Sequence, residues 1–135
     1  MKKHILLVEK DRDGFLDFMN VLEVSNVNCK VTYTTSYDHA LQMLDYIVPD
    51  CIFMRIDVSE EDTLKCVKKI RDHHALENST IVLYDDEVTS KMIRRSIKQG
   101  ADYCIDRPCS YADISYLLKD MFSRSRSPRD HSSEC

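Results

Sequence analysis

The sequence predicts an α/β fold: one parallel β-sheet covered by helices on both faces. Three observations carry the prediction. Short apolar runs recur every two to three dozen residues, amphipathic stretches separate them, and the runs end on charged residues.

HILLV from His4, CIFM from Cys51, TIVLY from Thr80 and YCI from Tyr103 are continuous apolar runs, suited to central strands buried on both sides. CKVTYT from Cys29 alternates instead, with Lys30 and Thr32 on one face, and suits an edge strand. Helical spacing fills the intervals: Phe15, Phe18, Met19 and Leu22; Ala40, Leu41 and Leu44; Leu64, Val67 and Ile70; Met92, Ile93 and Ile97; Ile114, Leu117, Leu118 and Met121. Strands starting near residues 5, 29, 51, 80 and 103 leave room each time for a crossover helix and a return, which makes the sheet parallel. Asp11, Ser36 and Ser110 precede helical stretches as N-caps, and Gly100 follows one as its C-terminal glycine.

With 135 residues, 43% of them apolar and 31% charged, the chain has the makings of one globular domain, read here as residues 1–122. Residues 123–135, SRSRSPRDHSSEC, offer nothing to bury and are expected to form a disordered polar tail. A net charge of -4 argues against direct nucleic-acid binding. No apolar run approaches the roughly 18 residues that span a bilayer, and MKKHILLV runs into Glu9 and Lys10 without a cleavage site, so a cytoplasmic protein is expected. The six cysteines lack C-x-x-C spacing and several sit in apolar segments, as reduced thiols do. His73 and His74 are adjacent and make a poor metal pair.

In open parallel sheets, ligands bind beyond the carboxyl ends of the strands. Here those ends carry Glu9 and Lys10, then Arg55 with Asp57, then Asp85 and Asp86, then Asp106, Arg107 and Pro108. ILLV-E-K-D, P-D-C-I-F-M-R, L-K-C-V-K-K-I-R and Q-G-A-D-Y-C-I-D-R-P, in this order and spacing, resemble the receiver domain of bacterial response regulators over about residues 3–122. The resemblance implies a flavodoxin-like, doubly wound sheet of five strands in order 2-1-3-4-5 with five helices. It also implies a site in which paired carboxylates hold Mg²⁺, an aspartate accepts phosphoryl, a Thr or Ser closes the fourth strand and a lysine precedes proline.

At the matching positions this chain has Glu9 and Lys10, Arg55, Asp85 and Arg107. An acyl phosphate needs a carboxylate nucleophile, and a guanidinium has donors alone. A unit cation about 4 Å from a divalent ion is repelled by roughly 8 kcal/mol at an effective dielectric near 20. No Mg²⁺ and no other cofactor is therefore expected. Three anions (Glu9, Asp57, Asp85) and three cations (Lys10, Arg55, Arg107) suggest a degenerate pocket in which Arg55 faces Glu9 and Asp85, with Arg107 or Lys10 closing the set. Isolated pairs at a solvated sheet edge are the plainer alternative. Asp57 is the remaining carboxylate that could substitute as phosphoacceptor, although it falls in the loop beyond the pocket. The family shows a cis peptide at its lysine and proline, which would fall here at Arg107 and Pro108. Cys104 occupies a position that is often aromatic in the family, and Tyr103 should point to the opposite side of the strand.

The resemblance implies an interaction module of two-component phosphorelay signalling, a pseudo-receiver rather than an enzyme, with a histidine kinase or other signalling protein as partner and a homodimer as a further option. The family's partner surface would map to Lys91, Arg94, Arg95, Lys98, Tyr103, Cys104, Tyr111 and Tyr116. A flavin site is disfavoured because EKDRD follows the first strand where a Gly-, Ser- or Thr-rich loop is needed. A hydrolase is disfavoured because no G-x-S-x-G-type motif is present.

Overall fold

The structure is a computed structural model that describes residues 2–106 and 116–121. Strands β1 (Lys3–Val8), β2 (Cys29–Thr34), β3 (Cys51–Arg55), β4 (Thr80–Asp85) and β5 (Tyr103–Asp106) alternate with helices α1 (Arg12–Ser25), α2 (Tyr37–Met43), α3 (Glu60–Asp72) and α4 (Ser90–Gln99). A last helical stretch, α5, covers residues 116–121. All four strand pairings are parallel and the order is β2-β1-β3-β4-β5, so the alternating strand CKVTYT lies at an edge as its pattern predicts.

Alternation along each central strand divides the core in two. Leu6, Val8, Ile52, Met54, Ile81 and Leu83 face one layer, where α3 contributes Leu64, Val67 and Ile70. Ile5, Leu7, Phe53 and Val82 face the other, where Phe18, Val21 and Leu22 of α1 meet Leu118 and Met121 of α5. Each fully buried side chain of this size contributes roughly 1.5–3 kcal/mol, and continuous apolar strands put one on every position. This two-sided burial fixes the sheet and leaves its carboxyl edge as the place where charge can collect.

Helix starts follow local chemistry. Asp11 accepts from the Asp13 amide and Ser36 from the His39 amide, as expected, while Ser110 lies outside the described residues. Ser59 and Thr89, not singled out in the sequence, cap α3 and α4 in the same way. Gly100 ends α4 at φ 123°, a backbone region that a side chain opposes.

At the amino edge of the sheet, Arg71 of α3 acts as a clasp. Its guanidinium donates to the carbonyls of Gly100, Leu76, Glu77 and Ser79 and to Asp102 Oδ2 at 3.1 Å. Asp102, 2% exposed, also accepts from the Ile81 amide. The I-R and G-A-D-Y pieces of the sequence are thus two halves of one buried ion pair that ties α3 to β4 and β5.

Candidate functional site: an ionic cluster at the carboxyl edge

Arg55 closes β3 in register with Tyr84 of β4, and Glu9 follows β1 immediately, so three neighbouring strands deliver their last side chains to one corner. Arg55 Nη1 lies 3.6 Å from Glu9 Oε1, and Nη2 lies 3.6 Å from Asp85 Oδ1 and 3.4 Å from Asp86 Oδ2. The guanidinium spans acids from two strands, which its planar fork permits and a lysine ammonium would not match. Its side chain remains 24% exposed.

Glu9 is the buried member, 1% exposed, and its carboxylate is well held. Tyr84 donates its phenol to Oε1 at 2.7 Å, and the Asp11 amide donates to Oε2 at 3.0 Å. The phenol of Tyr33 donates to the Glu9 carbonyl at 2.9 Å. Burial and the Glu9 charge push the Tyr84 hydroxyl far above the usual phenol range, so it stays a donor. Gly14 supplies the space: a Cβ there would sit 2.4 Å from Glu9 Oε1.

Lys10 and Asp57 form a separate pair. Lys10 Nζ lies 2.5 Å from Asp57 Oδ1, which also accepts from the Val58 amide, and the lysine holds the Asp57 carboxyl below its usual range. The loop carrying Asp57 is fixed from behind, because Tyr37 donates to the Arg55 carbonyl at 2.6 Å and Thr63 accepts from the Asp57 amide at 2.9 Å.

Of the six charges named from the sequence, Glu9, Arg55 and Asp85 come together. Lys10 turns to Asp57 instead of closing the Arg55 set, and Asp86 takes the extra place. Arg107, Pro108 and Tyr111 lie outside the described residues, so the peptide between Arg107 and Pro108 does as well. Sequence reasoning missed Tyr84 and Gly14. A lone glycine inside a helical pattern signals a close approach, whereas Tyr84 depends on strand register, which one sequence does not encode visibly.

The expected partner surface divides. Lys91, Arg94 and Lys98 are exposed on α4, and Arg95 pairs with Glu61 of α3. Tyr103 and Cys104 need correction: they are 9% and 1% exposed and belong to the two opposite core layers. A strand covered on both faces turns alternate side chains inward, so neither can present itself to a partner. Tyr116 is 75% exposed.

The fold and this corner define a signalling receiver. The chain belongs to the response regulator receiver domain family, whose model matches residues 5–119. Among solved structures it is similar to a response regulator from Thermotoga maritima, with a TM-score of 0.81, 21% identity, and coverage of 92% of this chain and 100% of that one. It is also similar to the receiver domain of a signal transduction histidine kinase from Syntrophus aciditrophicus, with a TM-score of 0.76, 21% identity, and coverage of 93% and 96%. The receiver domain of sensor histidine kinase PA1611 from Pseudomonas aeruginosa, which carries magnesium in its active-site cleft, matches with a TM-score of 0.77, 16% identity, and coverage of 92% and 100%. No curated protein matches the chain.

Proposed function

We propose that this receiver domain works as a protein-interaction module in two-component signalling without conventional aspartyl phosphorylation. The observation that carries the reading is the guanidinium of Arg55 at the end of β3, within 3.6 Å of Glu9 and Asp85. A fixed cation there stands in for the positive charge that a metal ion brings to other receivers, and it leaves no carboxylate at that position to accept a phosphoryl group.

The donor set does not suit Mg²⁺, which asks for near-octahedral oxygen ligands. Both Glu9 oxygens already accept hydrogen bonds, from Tyr84 and from the Asp11 amide. Two side-chain cations, Lys10 and Arg55, line the same cleft as Glu9 and Asp57, and each opposes a divalent ion. The module therefore offers one constant surface, with a histidine kinase or another signalling protein as its partner and exposed Lys91, Arg94 and Lys98 as contacts. Cytoplasmic operation agrees with free thiols at Cys29, Cys51, Cys66 and Cys104.

Incubation with acetyl phosphate and Mg²⁺, followed by intact-mass measurement, tests the reading. The expected result is an unchanged mass. A stoichiometric phosphoryl adduct that disappears in Asp57→Asn would replace it with a receiver that phosphorylates itself on Asp57.

A further inference from the structure

Helix α4, SKMIRRSIKQ, holds four cations and no acid, in a chain whose net charge is -4. At about 3.6 residues per turn, Lys91, Arg94, Arg95 and Lys98 fall within about 100° of one another, while Met92 and Ser96 are buried on the far side. From first to last the stripe is about 10 Å long. Lys91, Arg94 and Lys98 are exposed, and among the described residues none of the three makes a salt bridge or side-chain hydrogen bond. Arg95 is the anchored member. It pairs with Glu61 of α3 and holds that carboxyl below its usual range, with Lys65 and Lys91 acting in the same direction. One carboxylate thus faces three cations, and the surplus charge stays positive.

We infer that this stripe, continued by Lys65 of α3, binds an acidic helical segment of a different protein. The inference rests on the interaction-module reading above and names the chemistry of its partner. A helix laid along α4 repeats its side chains at the same step, so carboxylates at positions i, i+3 or i+4, and i+7 meet the cations in register. Such pairs orient and select a partner more than they hold it.

Other anionic surfaces match the charge and not the shape. Acids stand around the stripe: Glu60 and Glu61 begin α3, Asp72 ends it, and Asp86, Glu87 and Asp106 lie at the start of α4, where Asp106 accepts from the Val88 amide. A nucleic-acid duplex or a membrane plane is broad enough to meet these acids as well, whereas a single helical segment stays on the stripe. The stripe also lacks the apolar side chains by which a surface helix enters a bilayer. A second copy of this chain is a poor donor, because no described helix carries three carboxylates at the required spacing and α1 has only Asp13 and Asp17 in step.

Titration of the full chain with an alanine-based helical peptide bearing glutamate at i, i+4 and i+7 tests the assignment. Saturable binding with a dissociation constant below about 1 mM is expected at low salt, weakening as salt rises. Lys91→Glu, Arg94→Glu and Lys98→Glu in one chain should weaken it about tenfold or more; Arg95 is kept because Glu61 holds it. Lys2→Glu, Lys30→Glu and Lys119→Glu, the same change in net charge on other surfaces, should leave binding intact. The matching lysine peptide should bind the α4 variant and ignore the wild type. Circular dichroism checks that each variant is folded. Absence of saturable binding at millimolar peptide, or binding that survives the α4 reversal, overturns the inference. Tighter binding of duplex DNA or phosphatidylserine vesicles than of the glutamate peptide overturns it equally. A phosphoryl adduct in the mass measurement would remove the reading of an unmodified receiver and leave these binding outcomes as they stand.

Discussion

Tyr84 and Glu9 stand 75 positions apart in the chain and 2.7 Å apart in the fold, joined by a phenol that donates to a buried carboxylate. Hydrogen bonds to charged groups contribute about 1.5–3 kcal/mol. Tyr84→Phe keeps the ring against Phe53 and removes the donor alone. Its urea midpoint should fall by an amount corresponding to about 2 kcal/mol, with an unchanged slope on denaturant.

The same phenol gives the fold an alkaline limit. Burial raises the hydroxyls of Tyr37 and Tyr84 above their usual value, Tyr84 with added repulsion from Glu9. In the unfolded chain both lose their protons near pH 10, whereas in the fold they keep them. Stability is therefore undiminished by these groups below pH 10 and falls as pH rises beyond it. Chemical denaturation between pH 8 and pH 11 checks the sign, and Tyr84→Phe should show the shallower decline.

Arg55→Met leaves Glu9 buried without its cation. Breaking a fully buried pair costs about 3–5 kcal/mol. The guanidinium here is partly exposed and its contacts are long, so a loss of about 1–3 kcal/mol is expected at neutral pH. Arg55→Lys should recover only part of it, since a point charge cannot span acids on two strands. Thermal unfolding of the three proteins ranks them.

Gly14→Ala is expected to destabilise although alanine favours helix over glycine by about 1 kcal/mol. The new methyl meets Glu9 Oε1, and that oxygen is held by Tyr84. Combining it with Glu9→Ala removes the clash, so the double variant should lose less than the sum of the two single changes.

Arg71→Met strips the clasp from four carbonyls and leaves Asp102 buried. A loss of about 3–5 kcal/mol is expected, larger than for Arg55 because the Arg71 side chain is 12% exposed against 24%. Hydrogen exchange should speed first at the start of β4, where Asp102 holds the Ile81 amide.

The architecture was legible because each of its signals is local. Continuous apolar runs require two covered faces, an alternating run requires an edge, and Asp11 and Ser36 cap helices through amides two or three residues away. Glu9, Arg55 and Asp85 were legible as a corner because the topology of a parallel sheet sends every strand end to one edge. Asp86 was visible beside Asp85 at the same strand end, but that both acids reach Arg55 depends on the turn after β4. Tyr103 and Cys104 read as surface only by analogy, and the sheet buries both.

The sequence by itself determined the alternation of strands and helices, the sign of each charge at the carboxyl edge and the presence of a guanidinium where β3 ends. Only the tertiary structure decided what that pattern left open: Asp86 joins Glu9 and Asp85 around Arg55, and Lys10 pairs with Asp57 instead of closing the set. The physical reason is range. Secondary structure follows from contacts a few residues apart, whereas an ion pair is selected by strand register and loop geometry to within an ångström, and both are set by packing across the whole sheet.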